Sequence, residues 1–243
     1  MSNINIKDKI ILITGANRGL GLALVEKSLE KGAAKVYATY RSEHNRSTLE
    51  ELGEKVIPIH LDLEDPATIE QLSQLVPSLD VLINNAGIFT AANLLDDTEE
   101  QLRNDFETNF FGTLAVTKEL IPTLKNGGSS AIANLSSIAG LASMPSFGGY
   151  SASKAAVHSM TQSLRGKLKA DNIAVHGVYP GPVATRMTEN LEMPATPASQ
   201  VAEKILEGIE NGVEEIFPDA MSQQVGPVFL SSPKSLEQNF AAF

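Results

Sequence analysis

Short apolar runs alternate with longer amphipathic stretches along this chain. The run Ile10-Ile11-Leu12-Ile13-Thr14 closes on Gly15 and reads as a buried strand. Leu20, Leu24, Val25 and Leu29 then recur at helical spacing across 20–31, and Gly32 ends the helix. The same alternation predicts strands at 35–39, 56–61, 81–83 (ending at Asn84), 130–135, 173–178 and 215–217. It predicts helices over 67–76, stopped before Pro77, over 99–124, and over 150–168, with another starting near Thr196 or Ala198. Near-continuous apolar strands alternating with helices imply a parallel sheet covered on both faces, an α/β doubly wound arrangement in three layers with seven strands. No repeat, low-complexity tract or linker divides the chain, so residues 1–243 read as one domain. The Pro-rich stretch from Pro180 to Pro197 reads as an excursion over a site, with 182–198 as a small, mobile substrate loop leaving an open pocket.

Composition narrows the function classes. The net charge is −10, from 29 acidic against 19 basic residues. A nucleic acid or an anionic membrane is therefore a poor partner, because both need a basic surface. With no cysteine, thiolate nucleophiles, disulfides and thiolate metal sites are excluded. The four histidines, His44, His60, His158 and His176, lack ligand-like spacing, and no metal site is expected. The segment 1–9 has no apolar core of a signal peptide, and no apolar run approaches the length of a membrane span, so a cytoplasmic protein is expected.

Between the first strand and first helix lies Thr14-Gly15-Ala16-Asn17-Arg18-Gly19-Leu20-Gly21. Gly15 permits a tight turn, Gly19 lets backbone approach a pyrophosphate, and Gly21 allows close helix–strand packing. The helix start, from Asn17 through Leu20, presents free N–H groups to phosphate. Its G-x3-G-x-G spacing differs from the common G-x-G-x-x-G, and a plain glycine turn is the alternative. Tyr150 and Lys154, four apart, share a helix face. A nearby ammonium is expected to favour the phenolate and lower the tyrosine pKa, making Tyr150 a usable general acid or base. A surface tyrosine–lysine pair is the alternative.

At this point the chain resembles the short-chain dehydrogenase/reductase family, in its single-domain, carbonyl-reductase-like branch. The motifs that carry the resemblance are Thr14-Gly15-x-x-x-Gly19-x-Gly21, Asn84-Asn85-Ala86-Gly87, Asn109 with Gly112, Ser136-Ser137, Tyr150-x-x-x-Lys154, and Pro180-Gly181-Pro182-Val183-Ala184-Thr185. They stand in family order from residue 14 to residue 185, and the match thins beyond. The resemblance implies a Rossmann fold and a tetrad of Asn109, Ser137, Tyr150 and Lys154, with Ser136 as the fallback serine and Asn109 holding a water that relays protons to the lysine. It further implies that Asp62 and Leu63 contact an adenine ring, though Asp62 equally suits a strand-end cap. Asn85, Ala86 and Gly87 would approach the ribose and nicotinamide, with Pro180, Gly181, Val183 and Thr185 fixing the carboxamide side.

The second strand is followed by Arg41 where NAD enzymes usually place an acid, and Arg18 stands in the glycine loop. Two guanidinium groups suit a 2′-phosphate, so NADPH/NADP+ is the expected cofactor and NADH/NAD+ the alternative. Phe89, Met144, Phe147 and Met187, beside Ser137, suggest an apolar carbonyl or alcohol substrate, with ordinary core packing as the alternative. The expected activity is NADPH-dependent reduction of a ketone or aldehyde. The alternatives are an NAD-dependent alcohol dehydrogenase working oxidatively and a non-catalytic dinucleotide sensor. The resemblance also implies a homodimer or homotetramer, and the apolar end Phe240-Ala241-Ala242-Phe243 either docks or frays.

Overall fold

The computed structural model describes residues 4–242. Met1, Ser2 and Asn3 of the N-terminal reading, and Phe243 of the apolar tail, lie outside the described residues. The strands are β1 (Ile10–Ile13), β2 (Lys35–Tyr40), β3 (Val56–His60), β4 (Val81–Asn84), β5 (Ser130–Leu135), β6 (Ile173–Val178), β7 (Val183–Ala184), β8 (Thr196–Pro197) and β9 (Glu215–Ile216). Seven form one parallel sheet in the order β3-β2-β1-β4-β5-β6-β9, while β7 and β8 pair separately. This is the expected doubly wound α/β architecture. The order reverses between β1 and β4, where such sheets bind ligands beyond their carboxyl ends.

The helices are α1 (Gly19–Glu30), α2 (Arg46–Glu50), α3 (Pro66–Glu70), α4 (Leu72–Leu75), α5 (Glu99–Phe106), α6 (Thr113–Asn126), α7 (Gly148–Leu168), α8 (Ala198–Glu210), α9 (Ala220–Ser231) and α10 (Pro233–Phe240). Alternation along each strand divides the core. Ile11, Ile13, Val81, Ile83, Ala131 and Ala133 face α1 and α8, meeting Leu24, Val25, Val201, Ile205 and Ile209. Leu12, Leu82 and Ile132 face the other way, onto Val116, Leu120 and Leu124 of α6. Removing one of these fully buried leucines, as in Leu82→Ala, costs roughly 2–5 kcal/mol.

Three elements differ from the sequence pattern. The helix expected over 67–76 is two short helices, α3 and α4. Asp65 caps the first, accepting from the Ala67 amide at 3.0 Å, and at the joint the Gln74 amide reaches back only three residues to Gln71 O at 3.1 Å, tightening the turn. The single helix expected over 99–124 is interrupted by a π-helical segment, Glu107–Gly112, between α5 and α6. One extra residue in a turn leaves the apolar periodicity almost unchanged, so the pattern does not reveal it. Helices α9 and α10 were not anticipated. Gly226 and Pro227 inside α9 break the helical signal, yet Val225, Leu236 and Phe240 bury against Ile138, Met144 and Tyr179.

Candidate active site

The glycine loop leaves β1 with its backbone committed to one shape. Gly15 and Gly19 both have left-handed φ values, +62° and +55°. A Cβ on Gly15 would stand 3.0 Å from Ala86 Cα, and one on Gly19 would stand 3.1 Å from Thr185 Cγ2. On Gly21 it would run into the Gly15 carbonyl and come within 2.6 Å of Asn85 Nδ2. The loop is therefore a cradle only glycines can form, open toward the helix start that carries Arg18. Thr14 Oγ1 accepts from the amides of Asn85 (3.0 Å) and Ala86 (2.9 Å), and Asn85 Nδ2 donates to the carbonyls of Thr14 (2.9 Å) and Gly15 (3.1 Å). Asn85 thus spends its amide lashing β4 to the loop. The cradle opens into a cleft of about 710 Å³, lined by the loop, Arg41, Asp62, Leu63, Gly87, Lys154, Gly181, Val183 and Thr185 among others. Arg18 and Arg41 are exposed on its rim. Asp62 Oδ1 accepts from the Glu64 amide at 3.1 Å, so one of its oxygens caps the turn after β3.

The chemistry sits where β4, β5 and α7 converge. Asn109, 1% exposed in the π segment, accepts from Ile88 N at 2.8 Å and donates to Ile88 O at 3.1 Å and to Ser153 Oγ at 3.0 Å. Its amide hydrogens both go to protein atoms. Lys154 is buried and donates to Leu135 O at 2.8 Å. Its Nζ lies 5.7 Å from the Tyr150 ring centre. A Cβ on Gly87 would sit 2.8 Å from Asn109 Oδ1 and 3.4 Å from Lys154 Nζ, so this approach also requires glycine. The two serines after β5 part company. Ser136 Oγ turns away to donate to Lys154 O at 2.8 Å, whereas Ser137 faces the cavity, accepting from Ala139 N at 3.1 Å and donating to Pro180 O at 3.4 Å.

The electrostatics correct one sequence-based expectation. Burial raises the Tyr150 pKa to about 12, the Ser137 hydroxyl opposing that rise, and the Asp105 carboxylate adding to it. Burial lowers the Lys154 pKa to about 8, with Asp105 opposing the fall. The phenol therefore stands above its ordinary value despite the neighbouring lysine. Desolvation at this depth outweighs an ammonium that is itself discouraged and held on Leu135 O.

Beside Ser137 and Tyr150 a second cavity of about 60 Å³ is lined by Phe89, Ile138, Met144, Phe147, Met187 and Leu191 among others, with no charged side chain. Phe89 stacks edge-on to Tyr150 at 4.9 Å and to Phe147 at 5.3 Å. The 182–198 segment is tied down: β7 pairs with β8, and Thr188 Oγ1 donates to Val183 O.

Several contributors carried no obvious sequence signal. Asp219 caps α9 through the Ser222 amide at 2.9 Å and takes the Gly181 amide at 2.8 Å, holding the Pro-Gly turn at the mouth. Thr108, next to Asn109, donates to Glu64 at 2.8 Å at the end of the cleft lined by Asp62 and Leu63. Asp105, fully buried, takes both the hydroxyl (2.7 Å) and the amide (3.3 Å) of Thr90. The D-x-x-S spacing at Asp219 was a readable cap signature. The other two contacts join segments distant in sequence.

A glycine cradle at a sheet switch point, opening onto a half-buried tyrosine and a buried lysine, defines a dinucleotide-binding oxidoreductase. The short chain dehydrogenase family model matches residues 9–195, and the chain belongs to that family, whose members act on hydroxyl and carbonyl groups. It is 33% identical over 195 residues, 76% of this chain and 78% of the relative, to a 3alpha-hydroxysteroid dehydrogenase of Mediterraneibacter gnavus. A crystal structure of a short chain dehydrogenase from Burkholderia cenocepacia in complex with NADP superposes with a TM-score of 0.91 at 32% identity, covering 98% of this chain and 99% of that one. A Burkholderia phymatum relative in complex with NAD, 24% identical and covering 92% and 93%, shares the fold at a TM-score of 0.83.

Proposed function

We propose that this protein is an NADPH-dependent reductase of apolar ketones and aldehydes, running in reverse as an alcohol dehydrogenase. The observation that carries the reading is that Ser137 and Tyr150 line both the dinucleotide-sized cleft and the charge-free cavity, with Lys154 reaching the cleft from the same helix face as Tyr150. The cradle that a Cβ would fill at Gly15, Gly19 and Gly21 fits a pyrophosphate. Arg18 and Arg41 on the rim favour a 2′-phosphate, and the 32% identical relative was crystallised with NADP. Asp62 and Leu63 border the adenine end. Asn85, Ala86, Gly87, Pro180, Gly181, Val183 and Thr185 border the nicotinamide end.

When bound, the nicotinamide supplies the hydride to the carbonyl carbon. The protein's own groups handle the oxygen. Ser137 and Tyr150 hold it by their hydroxyls, and Tyr150 gives up its proton as negative charge gathers there. Lys154 binds the ribose hydroxyls and steadies the phenolate left on Tyr150. Asn109 fixes the backbone beside both and links the lysine to solvent through a water. Phe89, Met144, Phe147 and Met187 select an uncharged substrate and keep water from the reacting carbon. Residues 1–243 act as one dinucleotide-binding domain in this reading, with 182–198 covering the substrate. Exposed Leu94, Leu95 and Phe111 support a homodimer or homotetramer, which light scattering tests. No described helix is long and apolar enough to cross a membrane, in keeping with a cytoplasmic enzyme.

Assaying wild type and Tyr150→Phe against apolar aldehydes and ketones with NADPH and NADH tests the reading. The expected result is NADPH-preferring turnover that falls by roughly 10²–10⁴-fold in the variant. Full activity without the hydroxyl would remove Tyr150 from the mechanism.

A further inference from the structure

The segment Gly87 to Thr90 runs through the site as a strap, and each of its residues meets a side chain from α5, the π segment or α7. Gly87 lies against Asn109 Oδ1 and Lys154 Nζ, and Ile88 is held at both backbone groups by Asn109. Phe89 lays its ring against Tyr150, and Thr90 ends the strap on Asp105. Three of the four grips come from groups the mechanism already uses, and Asp105 supplies the fourth. It sits on the last turn of α5, has no solvent exposure, and forms no ion pair among the described residues. A buried carboxylate without a cation partner is costly, and a polar amide would bind Thr90 as well at lower cost.

We propose that Asp105 is a positioning residue for this reaction, whose carboxylate clamps Thr90 to hold the Phe89 ring on Tyr150 and lays its negative charge on the flank of the Tyr150–Lys154 pair. The charged and titratable groups around that lysine are few. Tyr150 shares its helix, Asp105 of α5 holds Thr90 next to the Phe89 ring that packs on Tyr150, and Asn109, Ser136 and Ser137 from the π segment and the end of β5 are neutral. Asp105 is the charged residue whose field reaches both Tyr150 and Lys154, and Lys154 in turn stabilises ionised Asp105. The inference rests on the reductase reading for its purpose, since a cationic lysine is what steadies a phenolate. The coupling itself is a property of the cofactor-free chain.

Two variants separate the charge from the clamp. Asp105→Asn keeps an acceptor for Thr90 and loses the charge. Thr90→Val keeps the charge and loses the hydroxyl. Carbon NMR of lysine-labelled full-length protein, assigned with Lys154→Met, reads the Lys154 midpoint without turnover. Asp105→Asn should lower that midpoint by ~0.5 unit or more, and draw the alkaline limb of carbonyl reduction down with it. Thr90→Val should leave the midpoint in place and raise the substrate KM by about threefold or more, with Thr90→Ser restoring it. A merely structural role would lower Tm in Asp105→Asn and leave the Lys154 midpoint where it was, which overturns the proposal. Should Asp105→Asn fail to fold, the coupling is read from the other end, because linkage is reciprocal. Lys154→Met should raise the Asp105 carboxyl midpoint, and an unmoved value overturns the proposal equally. A shifted midpoint in a protein that reduces no carbonyl would uphold the coupling and remove the reductase reading.

Discussion

Asn109 holds Ile88 by both of its backbone groups, accepting from the amide at 2.8 Å and donating to the carbonyl at 3.1 Å. The grip is possible because Asn109 lies on the buried side of the π segment, beside Thr108. Replacing Asn109 with Leu fills the space and removes every partner. Ile88 then has an unpaired amide and carbonyl at a half-buried site. We expect a loss of about 2–4 kcal/mol in urea unfolding, from the bonds and the polar groups left without partners. Asn109→Asp, which keeps the acceptor for Ile88 N, should lose less.

Lys154 and Tyr150 make stability depend on pH in opposite senses. Burial lowers the lysine from its ordinary 10.5 to about 8, so between these values the unfolded chain binds more protons than the folded one. Stability therefore rises with pH across that window, as the charge that burial disfavours is shed. Burial raises Tyr150 from 10.0 to about 12, so above pH 10 the folded chain retains a proton the unfolded one loses, and stability falls again. Urea unfolding of the cofactor-free protein should show a rise from pH 8 toward 10 that Lys154→Met abolishes. A flat profile in the wild type would mean that the lysine is solvated.

Arg18 and Arg41 stand on the rim of the cleft, exposed, and among the described residues neither forms an ion pair. A rim arginine without an internal partner is free to take an anion. Removing either as Ala should weaken NADPH binding by ~10-fold or more while leaving NADH within a factor of a few, since a charge-assisted phosphate contact contributes ~1.5–3 kcal/mol. Calorimetric titration of both nucleotides checks the split. Equal loss for the two would assign these arginines to the pyrophosphate and leave the 2′-phosphate without a reader.

What could be read from the chain in advance follows from how local each signal is. The glycine loop and the Tyr150–Lys154 pair are spacing signals, complete within eight and five residues, and the parallel sheet follows from apolar runs that need no partner to be recognised. Asp105 was invisible because it ends the polar turn from Glu99 and looks like a solvated helix face. Only contact with Thr90, fifteen residues away, buries it. The direction of the Tyr150 shift failed for a related reason. An i,i+4 interval specifies which side chains are neighbours and carries no information on how much water each loses, and here water loss decides. The π segment escaped because one inserted residue hardly disturbs a 3.6-residue period.

Glycines in this chain divide into those a side chain would destroy and those it would help, and two of them make a matched test. Gly21 lies in the first turn of α1 with the Gly15 carbonyl and Asn85 Nδ2 where a Cβ would go, and both of those groups are fixed by the lashing of β4 to the loop. Neither can yield without opening the cradle, so Gly21→Ala should abolish dinucleotide binding and destabilise the fold by more than ~2 kcal/mol, in the range of overpacked sites. Gly166 lies exposed inside α7, three turns beyond Lys154, with nothing within 4 Å of its would-be Cβ. There a glycine contributes only backbone freedom to the unfolded state. Gly166→Ala should stabilise by ~0.5–1 kcal/mol with kcat and KM unchanged. Thermal unfolding of the two variants side by side checks both signs. A stabilised Gly21→Ala that still binds dinucleotide would show that the loop relaxes, and that its glycines do not form the cradle described above.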